Sequence, residues 1–245
     1  MRASYDYPIF IVEDTNMEKT KSFKLLDWLS VSFVVMLLIS NIIASKLVLL
    51  WGVLIPAAVF LFPVTYIFGD ILTEVYGYER NRKIIWQGFF ANIIMSLVFL
   101  FVVALPYPDF WKGQEAFKTV LGVVPRIVLA SLVGYWAGSF MNSFIMAKMK
   151  IWMRKFDPTD KLLFLRTISS TIIGEGVDTC IFITIAFLGT MPASVVLTLI
   201  LVQYLFKVVI EAIMTPATYA IVKALKKYED EDKIGADSYS PLKLQ

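Results

Sequence analysis

The sequence predicts an all-α, polytopic integral membrane protein with six transmembrane helices and both termini in the cytoplasm. Hydrophobic residues make up 58% of the chain, charged residues make up 18%, and the mean hydropathy is +0.70. Soluble domains are far more polar, since about a quarter of their residues are charged. Six separate apolar stretches each approach or exceed the roughly 20 residues that a helix needs to cross a bilayer.

The six predicted spans cover residues 28–46, 53–76, 84–105, 123–147, 165–189 and 194–222. Three basic residues follow the second span between Arg80 and Lys83, and five follow the fourth between Lys148 and Lys161. The positive-inside rule places both connections in the cytoplasm. Within the second span, Pro56 and Pro63 remove backbone donors, so we expect that helix to be kinked or broken.

The spans divide the chain into three parts. Residues 1–27 are predicted to be a cytoplasmic N-terminal leader, because they lack the short apolar core and cleavage site of a signal peptide. Residues 28–222 form the six-helix transmembrane domain, and residues 223–245 form a polar cytoplasmic tail. In a cell, this organisation predicts a multi-pass protein of the inner, cytoplasmic membrane.

The composition also excludes several kinds of chemistry. The chain has no histidine and a single cysteine, Cys180, so it lacks the commonest metal ligand and general base and cannot form an intramolecular disulfide. No nucleotide-binding motif of the form GxxxxGK[ST] is present, so the chain itself is not expected to hydrolyse ATP. We therefore predict no catalytic residue, no metal site and no cofactor, and the protein is not expected to be an enzyme.

Polar side chains within the spans mark the predicted functional site. A carboxylate at the bilayer centre is disfavoured by roughly 2.5–3.5 kcal/mol, so acids at this depth normally face a bundle interior or a water-filled cavity. Glu175 and Asp178 lie near the middle of the fifth span, three residues apart and therefore on one helix face. The candidate substrate-binding residues are Asn41, Asp70, Arg126, Asn142, Glu175, Asp178, Gln203, Lys207 and Glu211.

Several of these residues have two interpretations. Two acids beside one lysine leave surplus negative charge, which favours a proton or a ligand rich in hydrogen-bond donors. Lys207 could instead only neutralise Glu211 on its own helix or Asp178 across helices. Arg126, near the outer end of the fourth span, could extend to water or turn inward toward the site.

Five blocks of sequence resemble the YhhQ family of queuosine precursor transporters, in that family's order, and the resemblance as a whole runs over all six spans. They are SNIIASK, FPVTYIFGDILTEVYGYERNRK, PRIVLASLVGYWAGSFMNS, IIGEGVDTCIFITIAF and QYLFKVVIEAIMTPATY. The resemblance implies a membrane carrier for 7-cyano-7-deazaguanine and 7-aminomethyl-7-deazaguanine, bases salvaged to make the queuosine of transfer RNA. It places the family's polar signature on Asn41, Asp70, Arg126, Asp178 and Lys207, with Glu175 and Glu211 in the same blocks.

The chemistry of such a base suits these residues. A guanine-like edge presents a ring N–H beside an exocyclic amine, two parallel donors that the carboxylate of Glu175 or Asp178 accepts in a bidentate manner. Other residues could contact the rest of the ligand. The carbonyl group could accept a hydrogen bond from Lys207, Asn41 or Asn142, and the ring faces could stack on Phe62, Tyr66 or Trp86. A cationic aminomethyl group could contact Asp70 or Glu211.

Other functions and partners stay open at this stage. A carrier or substrate-binding component for a vitamin or another small heterocycle would have the same six-helix plan. An intramembrane aspartyl protease using Asp70 and Asp178 is disfavoured because the two acids lie at different predicted depths, and a purely structural subunit would bind no ligand. The expected partners are the lipid bilayer and the small-molecule substrate, and no nucleic acid is expected. Proton coupling and a separate energising partner are both compatible with the sequence. So is a homodimer formed through the small-residue stripe at Gly134 and Gly138.

Overall fold

The structure, a computed structural model, describes residues 23–50, 52–153 and 163–229. Its elements are α1 (Leu26–Ile43), β1 (Leu47–Leu50), β2 (Val53–Pro56), a short 3-10 helix (Ala57–Phe60), α2 (Phe62–Tyr76), α3 (Tyr78–Ala104), α4 (Gln114–Leu121), α5 (Val124–Met153), α6 (Leu163–Phe187) and α7 (Ala193–Glu229). Among the described residues, five helical segments are long and apolar enough to span a membrane: α1, α3, α4 joined to α5, α6 and α7. The predicted fold class, an all-α multi-pass membrane protein, is confirmed.

The second predicted span differs from a continuous helix. Its first part forms β2, which pairs antiparallel with β1 in the register Leu47 with Pro56 and Leu50 with Val53. The helix α2 has 15 residues and is therefore about 22 Å long, shorter than the ~30 Å hydrocarbon core. The break that the prolines predict is confirmed, and the expectation of a continuous α-helix before Phe62 is wrong, since a strand and a short 3-10 helix precede it. The count of six spans stays a prediction.

The hairpin explains how non-helical backbone is accommodated beside the bundle. Pro56 cannot donate a hydrogen bond, and the strand pairing satisfies the neighbouring backbone groups instead. The N–H of Ala57 continues the pattern by donating to the carbonyl oxygen of Lys46 at 2.8 Å. Gly52, in the turn, has a φ of +82°, which a residue without Cβ adopts at little cost.

Helices α5 and α6 cross at very close range. A Cβ added at Gly138 would lie 2.8 Å from the Cβ of Asp178, and one at Gly174 would lie 2.9 Å from the Cβ of Asn142. A Cβ at Gly134 would approach a carboxylate oxygen of Asp178 to 2.8 Å. The small-residue stripe is therefore used for a crossing within the chain, as close-packing membrane helices require. The homodimer stays a prediction.

Two hydrophobic clusters lie in the bundle. One joins the chain around the hairpin to α5, α6 and α7 and contains Ala44, Ala58, Ile127, Ala130, Phe182, Ile183, Ala186, Phe187, Val196 and Leu199. The other joins α1, α2, α3 and α7 and contains Phe33, Ile71, Leu72, Val75, Tyr76, Ile84 and Val222. A cavity borders both clusters, because Ala44, Ala58 and Phe182 of the first and Phe33 of the second line its wall.

Candidate functional site

A cavity of about 410 Å³ lies inside the helix bundle. This volume falls within the roughly 300–1,000 Å³ that small-molecule sites occupy. Its wall combines apolar side chains with a set of polar ones: Ser40, Asn41, Thr65, Asp70, Thr73, Asn81, Ser131, Ser139, Asn142, Thr171, Glu175, Asp178, Gln203 and Lys207. Seven of the nine candidate residues identified from sequence line this one cavity, and Arg126 and Glu211 do not.

A lysine bridged by two acids forms the charged centre of the cavity. The Nζ of Lys207 lies 2.6 Å from Oδ2 of Asp178 and 3.0 Å from Oε2 of Glu175. The lysine side chain is only 5% exposed, whereas the side chains of Glu175 and Asp178 are 21% and 23% exposed. The ammonium is thus withdrawn into the protein while the carboxylates keep accessible surface. Of the partners considered for Lys207 from sequence, the cross-helix contact with Asp178 is present.

The charged groups of the cavity wall are predominantly acidic. Among the described residues that line it, the charged side chains are those of Asp70, Glu175, Asp178 and Lys207. Three carboxyl groups therefore face one ammonium group. A ligand that supplies hydrogen-bond donors or positive charge complements this wall better than an anion does.

Asn41 on α1 hydrogen-bonds to α3 and to α5 at the cavity wall. Its Nδ2 donates to Oδ1 of Asn92 on α3 at 2.7 Å, and its Oδ1 accepts from the hydroxyl of Ser131 on α5 at 2.7 Å. Asn92 in turn donates to the carbonyl oxygen of Gly88 at 2.8 Å. Both polar atoms of the Asn41 amide are engaged in this network, which fixes the relative positions of α1, α3 and α5.

Three other amides of the cavity wall, those of Gln203, Asn142 and Asn81, have buried polar atoms that lack a hydrogen-bond partner among the described residues. Gln203 is fully buried, and within the part of the chain that the structure describes neither its Nε2 nor its Oε1 has a hydrogen-bond partner. The Oδ1 atoms of Asn142 and Asn81 likewise have none among the described residues. A buried polar group without a partner costs about 1–3 kcal/mol. These amides are therefore available to a bound molecule.

Arg126 turns toward the end of a helix instead of toward the cavity. Its Nε donates to the carbonyl oxygen of Ile185 at 2.6 Å, and one terminal guanidinium nitrogen donates to the carbonyl oxygen of Leu188. Helix α6 ends at Phe187, so the guanidinium binds carbonyl groups that the helix leaves unpaired and complements the negative end of its dipole. The contacts of Arg126 are those of a helix cap.

The remaining candidates are distributed as follows. Asp70 on α2 is exposed and lines the cavity, and Glu211 lies one helical turn beyond Lys207 on α7, outside the lining. Trp86 makes edge contacts with Phe89 and Trp136 at 6.1 Å and 5.5 Å between ring centroids and does not line the cavity. The side chains of Phe62 and Tyr66, also considered as stacking groups, lie outside the described residues.

The rings that do line the cavity were not identified from sequence. They are Phe33, Phe89, Tyr135 and Phe182, and Phe89 and Tyr135 pack edge to face at 5.1 Å between centroids. In a chain with 19 phenylalanines, most aromatic residues face lipid or other helices, so residue type alone does not mark a ligand contact. The spacing of Ser131, Tyr135 and Asn142 along α5 was the available signal, because it defines one polar helix face.

Comparison with known proteins identifies relatives of the chain. A protein-family model described as "Putative vitamin uptake transporter" matches residues 56–221. A "Probable queuosine precursor transporter" of Bacillus subtilis is 30% identical over 190 residues, which is 78% of this chain and 81% of that protein. The "Queuosine precursor transporter" of Escherichia coli is 26% identical over 224 residues, 89% of this chain and 96% of that protein. No solved structure gives a significant match.

Proposed function

The chain belongs to the vitamin uptake transporter family, and on this premise we propose that it transports queuosine precursors across the membrane. The substrates of this proposal are the free bases 7-cyano-7-deazaguanine and 7-aminomethyl-7-deazaguanine. An α-helical carrier of this kind resides in the inner membrane of a bacterium, since proteins of the outer membrane are β-barrels. The names of the relatives in Bacillus subtilis and Escherichia coli support the substrate class.

The surplus of carboxyl groups in the cavity is the observation that carries the proposal. Asp70, Glu175 and Asp178 share the wall with the single ammonium group of Lys207. A 7-deazaguanine presents a ring N–H next to an exocyclic amine, and a carboxylate accepts both in a bidentate manner. We assign this contact to Asp178 or Glu175, whose carboxylates keep accessible surface beside the buried lysine.

Other groups of the wall complement the rest of the ligand. The rings of Tyr135 and Phe89 line the cavity and offer faces or edges to a flat heterocycle. Asp70 supplies a carboxylate for the cationic aminomethyl group of the second substrate, a group that the cyano compound lacks. The carbonyl oxygen of the base is left for a donor such as the ammonium of Lys207 or the amide of Asn142.

Proton movement is the proposed energy source for uptake. Carboxyl groups held at membrane depth are the usual proton carriers of transporters, and here two of them share one lysine at 2.6 Å and 3.0 Å. Binding or release of a proton by this cluster changes the charge that the ligand meets. Uptake into proteoliposomes is therefore expected to rise with an inward proton gradient and to fall when an uncoupler dissipates it. Uptake that is insensitive to the uncoupler would contradict proton coupling and leave the substrate assignment intact.

A binding measurement tests the substrate class directly. Detergent-purified full-length protein is heated with each deazaguanine, with guanine and with biotin, since a ligand that binds the native state raises the apparent melting temperature. We expect stabilisation by the deazaguanines in the wild type, its loss in Asp178→Asn, and its retention in the control Glu115→Gln on the exposed helix α4.

The same measurement separates the second candidate function. The description of the matching family model concerns vitamins, so a carrier for a heterocyclic vitamin is the competing assignment. Stabilisation by biotin or another vitamin, without any shift from the deazaguanines, would favour that assignment and overturn the proposed substrates. A folded protein that no ligand stabilises would point to a structural role.

A further inference from the structure

We propose that Gln203 is the specificity-determining residue that selects free bases over nucleosides, by pairing with the N3/N9–H edge of the deazaguanine ring. This inference rests on the proposed function and adds a residue role to it. Its basis is the fully buried carboxamide of Gln203, which lines the cavity without a hydrogen-bond partner among the described residues.

The position of Gln203 ties it to the charged centre. It precedes Lys207 by four residues on α7, so the two side chains lie on the same helix face, one turn apart. Lys207 contacts Asp178 and Glu175, and both acids share the cavity wall with Gln203. A flat heterocycle held by a carboxylate at the charged centre has a second polar edge close to the next turn of α7.

The chemistry of the ring determines which edge a carboxamide recognises. A carboxamide offers one acceptor and one donor side by side, so it pairs with an edge that offers a donor and an acceptor in the same spacing. In a deazaguanine, three edges qualify: the carbonyl with N1–H, N3 with the exocyclic amine, and N3 with N9–H. The carboxylate already accepts N1–H together with one hydrogen of the exocyclic amine. Of the two edges that contain N3, we assign to Gln203 the one that does not share this amine with the carboxylate, N3 with N9–H.

This pairing discriminates bases from nucleosides. In the free base, N9–H donates to Oε1 of Gln203 and N3 accepts from Nε2. In a nucleoside, N9 carries the sugar, so Oε1 loses its donor and stays buried without a partner. Sites that hydrogen-bond a substrate N–H reject analogues lacking it far more strongly than apolar pockets reject a missing methylene.

The test compares 7-cyano-7-deazaguanine with its 9-methyl derivative by calorimetric binding to the full-length protein in lipid nanodiscs. The wild type is expected to bind the parent base at least tenfold more tightly than the derivative. In Gln203→Met, which keeps the length and shape of the side chain, the parent is expected to weaken about tenfold or more, whereas the derivative changes less than threefold. The selectivity therefore collapses because the parent loses affinity.

A matched control replaces an amide outside the cavity. Gln114 on α4 donates to the carbonyl oxygen of Val103 at 3.1 Å, and Gln114→Met is expected to keep wild-type selectivity. Equal weakening of both ligands in Gln203→Met, or no change in either, would overturn the role of Gln203. Failure of the wild type to bind either compound would instead overturn the proposed substrates on which this inference rests.

Discussion

Lys207 and Asp178 join α7 to α6 through a contact of 2.6 Å between the ammonium nitrogen and a carboxylate oxygen. The lysine is almost fully buried, so its charge depends on this carboxylate and on Glu175 for compensation. A buried ion pair contributes little compared with a well-packed apolar pair, but removing one partner leaves an uncompensated charge. The cluster therefore constrains both the stability of the bundle and the charge of the cavity.

Lys207→Met is expected to lower the melting temperature of the purified protein strongly. Removing the ammonium takes away the positive charge that two neighbouring carboxylates contact, at a cost on the order of 3 kcal/mol. The double variant Lys207→Met/Asp178→Asn should recover part of the loss, because one of the two charges is then gone as well. Melting curves of the two single variants and the double variant measure this coupling, and strictly additive effects would contradict it.

Gly138→Ala is expected to destabilise the protein and to impair ligand binding. The added Cβ would lie 2.8 Å from both the Cβ of Asp178 and the carbonyl oxygen of Gly174, so α5 and α6 must separate where Asp178 faces the cavity. Overpacking of this kind costs about 1–3 kcal/mol. Gly176→Ala is the matched control, since its Cβ would meet Tyr204 at an ordinary 3.6 Å. Equal effects of the two substitutions on melting temperature and binding would contradict the close crossing.

Much of this site could be predicted from sequence because charge at membrane depth is costly. Asp70, Glu175, Asp178 and Lys207 were selected for this reason and all line the cavity, whereas Glu211, selected in the same way, does not. This argument did not separate Arg126 from them, because an arginine near the end of a span satisfies the same argument by capping a neighbouring helix. Which carbonyl groups it meets depends on where α6 ends and on how α5 packs, and neither is encoded within a few residues of Arg126.

The fold shows the same contrast: features set by local hydropathy could be predicted from the sequence, and features set by contacts between distant residues could not. Hydropathy alone predicted both ends of α1 and α6 to within three residues, whereas α3 begins six residues before its predicted span and α5 ends six residues after its own. The hairpin formed by β1 and β2 was not predicted because its residues are as apolar as those of a helix, and only Pro56 and Pro63 indicated a break in the second span. Helix α7 continues to Glu229, seven residues beyond the predicted end of the sixth span, because hydropathy marks the membrane boundary and not the end of the helix.

Asp70→Asn is expected to change which precursor the protein prefers. Asp70 lines the cavity on α2, where its carboxylate complements a cationic aminomethyl group and offers nothing comparable to a neutral cyano group. Binding of 7-aminomethyl-7-deazaguanine should weaken about tenfold, a loss of about 1.4 kcal/mol, with little change for the cyano compound. Competition binding with both compounds measures the ratio. An equal loss for both would show that Asp70 acts on the protein and not on the aminomethyl group.

Arg126→Gln is expected to reduce stability without altering ligand preference. The guanidinium donates to the carbonyl oxygens of Ile185 and Leu188 at the end of α6, and the loss of these bonds should cost about 1.5 kcal/mol. Because Arg126 does not line the cavity, the relative affinities for the two deazaguanines should match those of the wild type. A variant with a normal melting temperature and a changed preference would assign Arg126 to the ligand instead.

Glu229 forms a further connection, at the end of α7 remote from the charged centre. Its carboxylate accepts the backbone N–H groups of Lys24 and Leu25 at 3.0 Å and 2.9 Å and the hydroxyl of Tyr76 at 3.0 Å. These bonds tie the end of α7 to the start of α1 and the end of α2. Since α7 has 37 residues, it is about 55 Å long and extends well beyond a ~30 Å hydrocarbon core.

Glu229→Ala is therefore expected to lower the melting temperature, since it leaves two helix-start N–H groups and a buried hydroxyl without their acceptor, at a cost of about 1–3 kcal/mol. Tyr76→Phe removes one of the three bonds and should cost about 0.5–1.5 kcal/mol. Glu74→Gln is the control: it weakens a 3.7 Å ion pair with Lys226 in which the Glu74 side chain is 62% exposed, and such pairs contribute about 0–1 kcal/mol. A melting temperature of Glu229→Ala no lower than that of Glu74→Gln would show that the carboxylate does not stabilise the contact between the three helix ends. The packing of Tyr76 against its hydrophobic neighbours would then be what stabilises it.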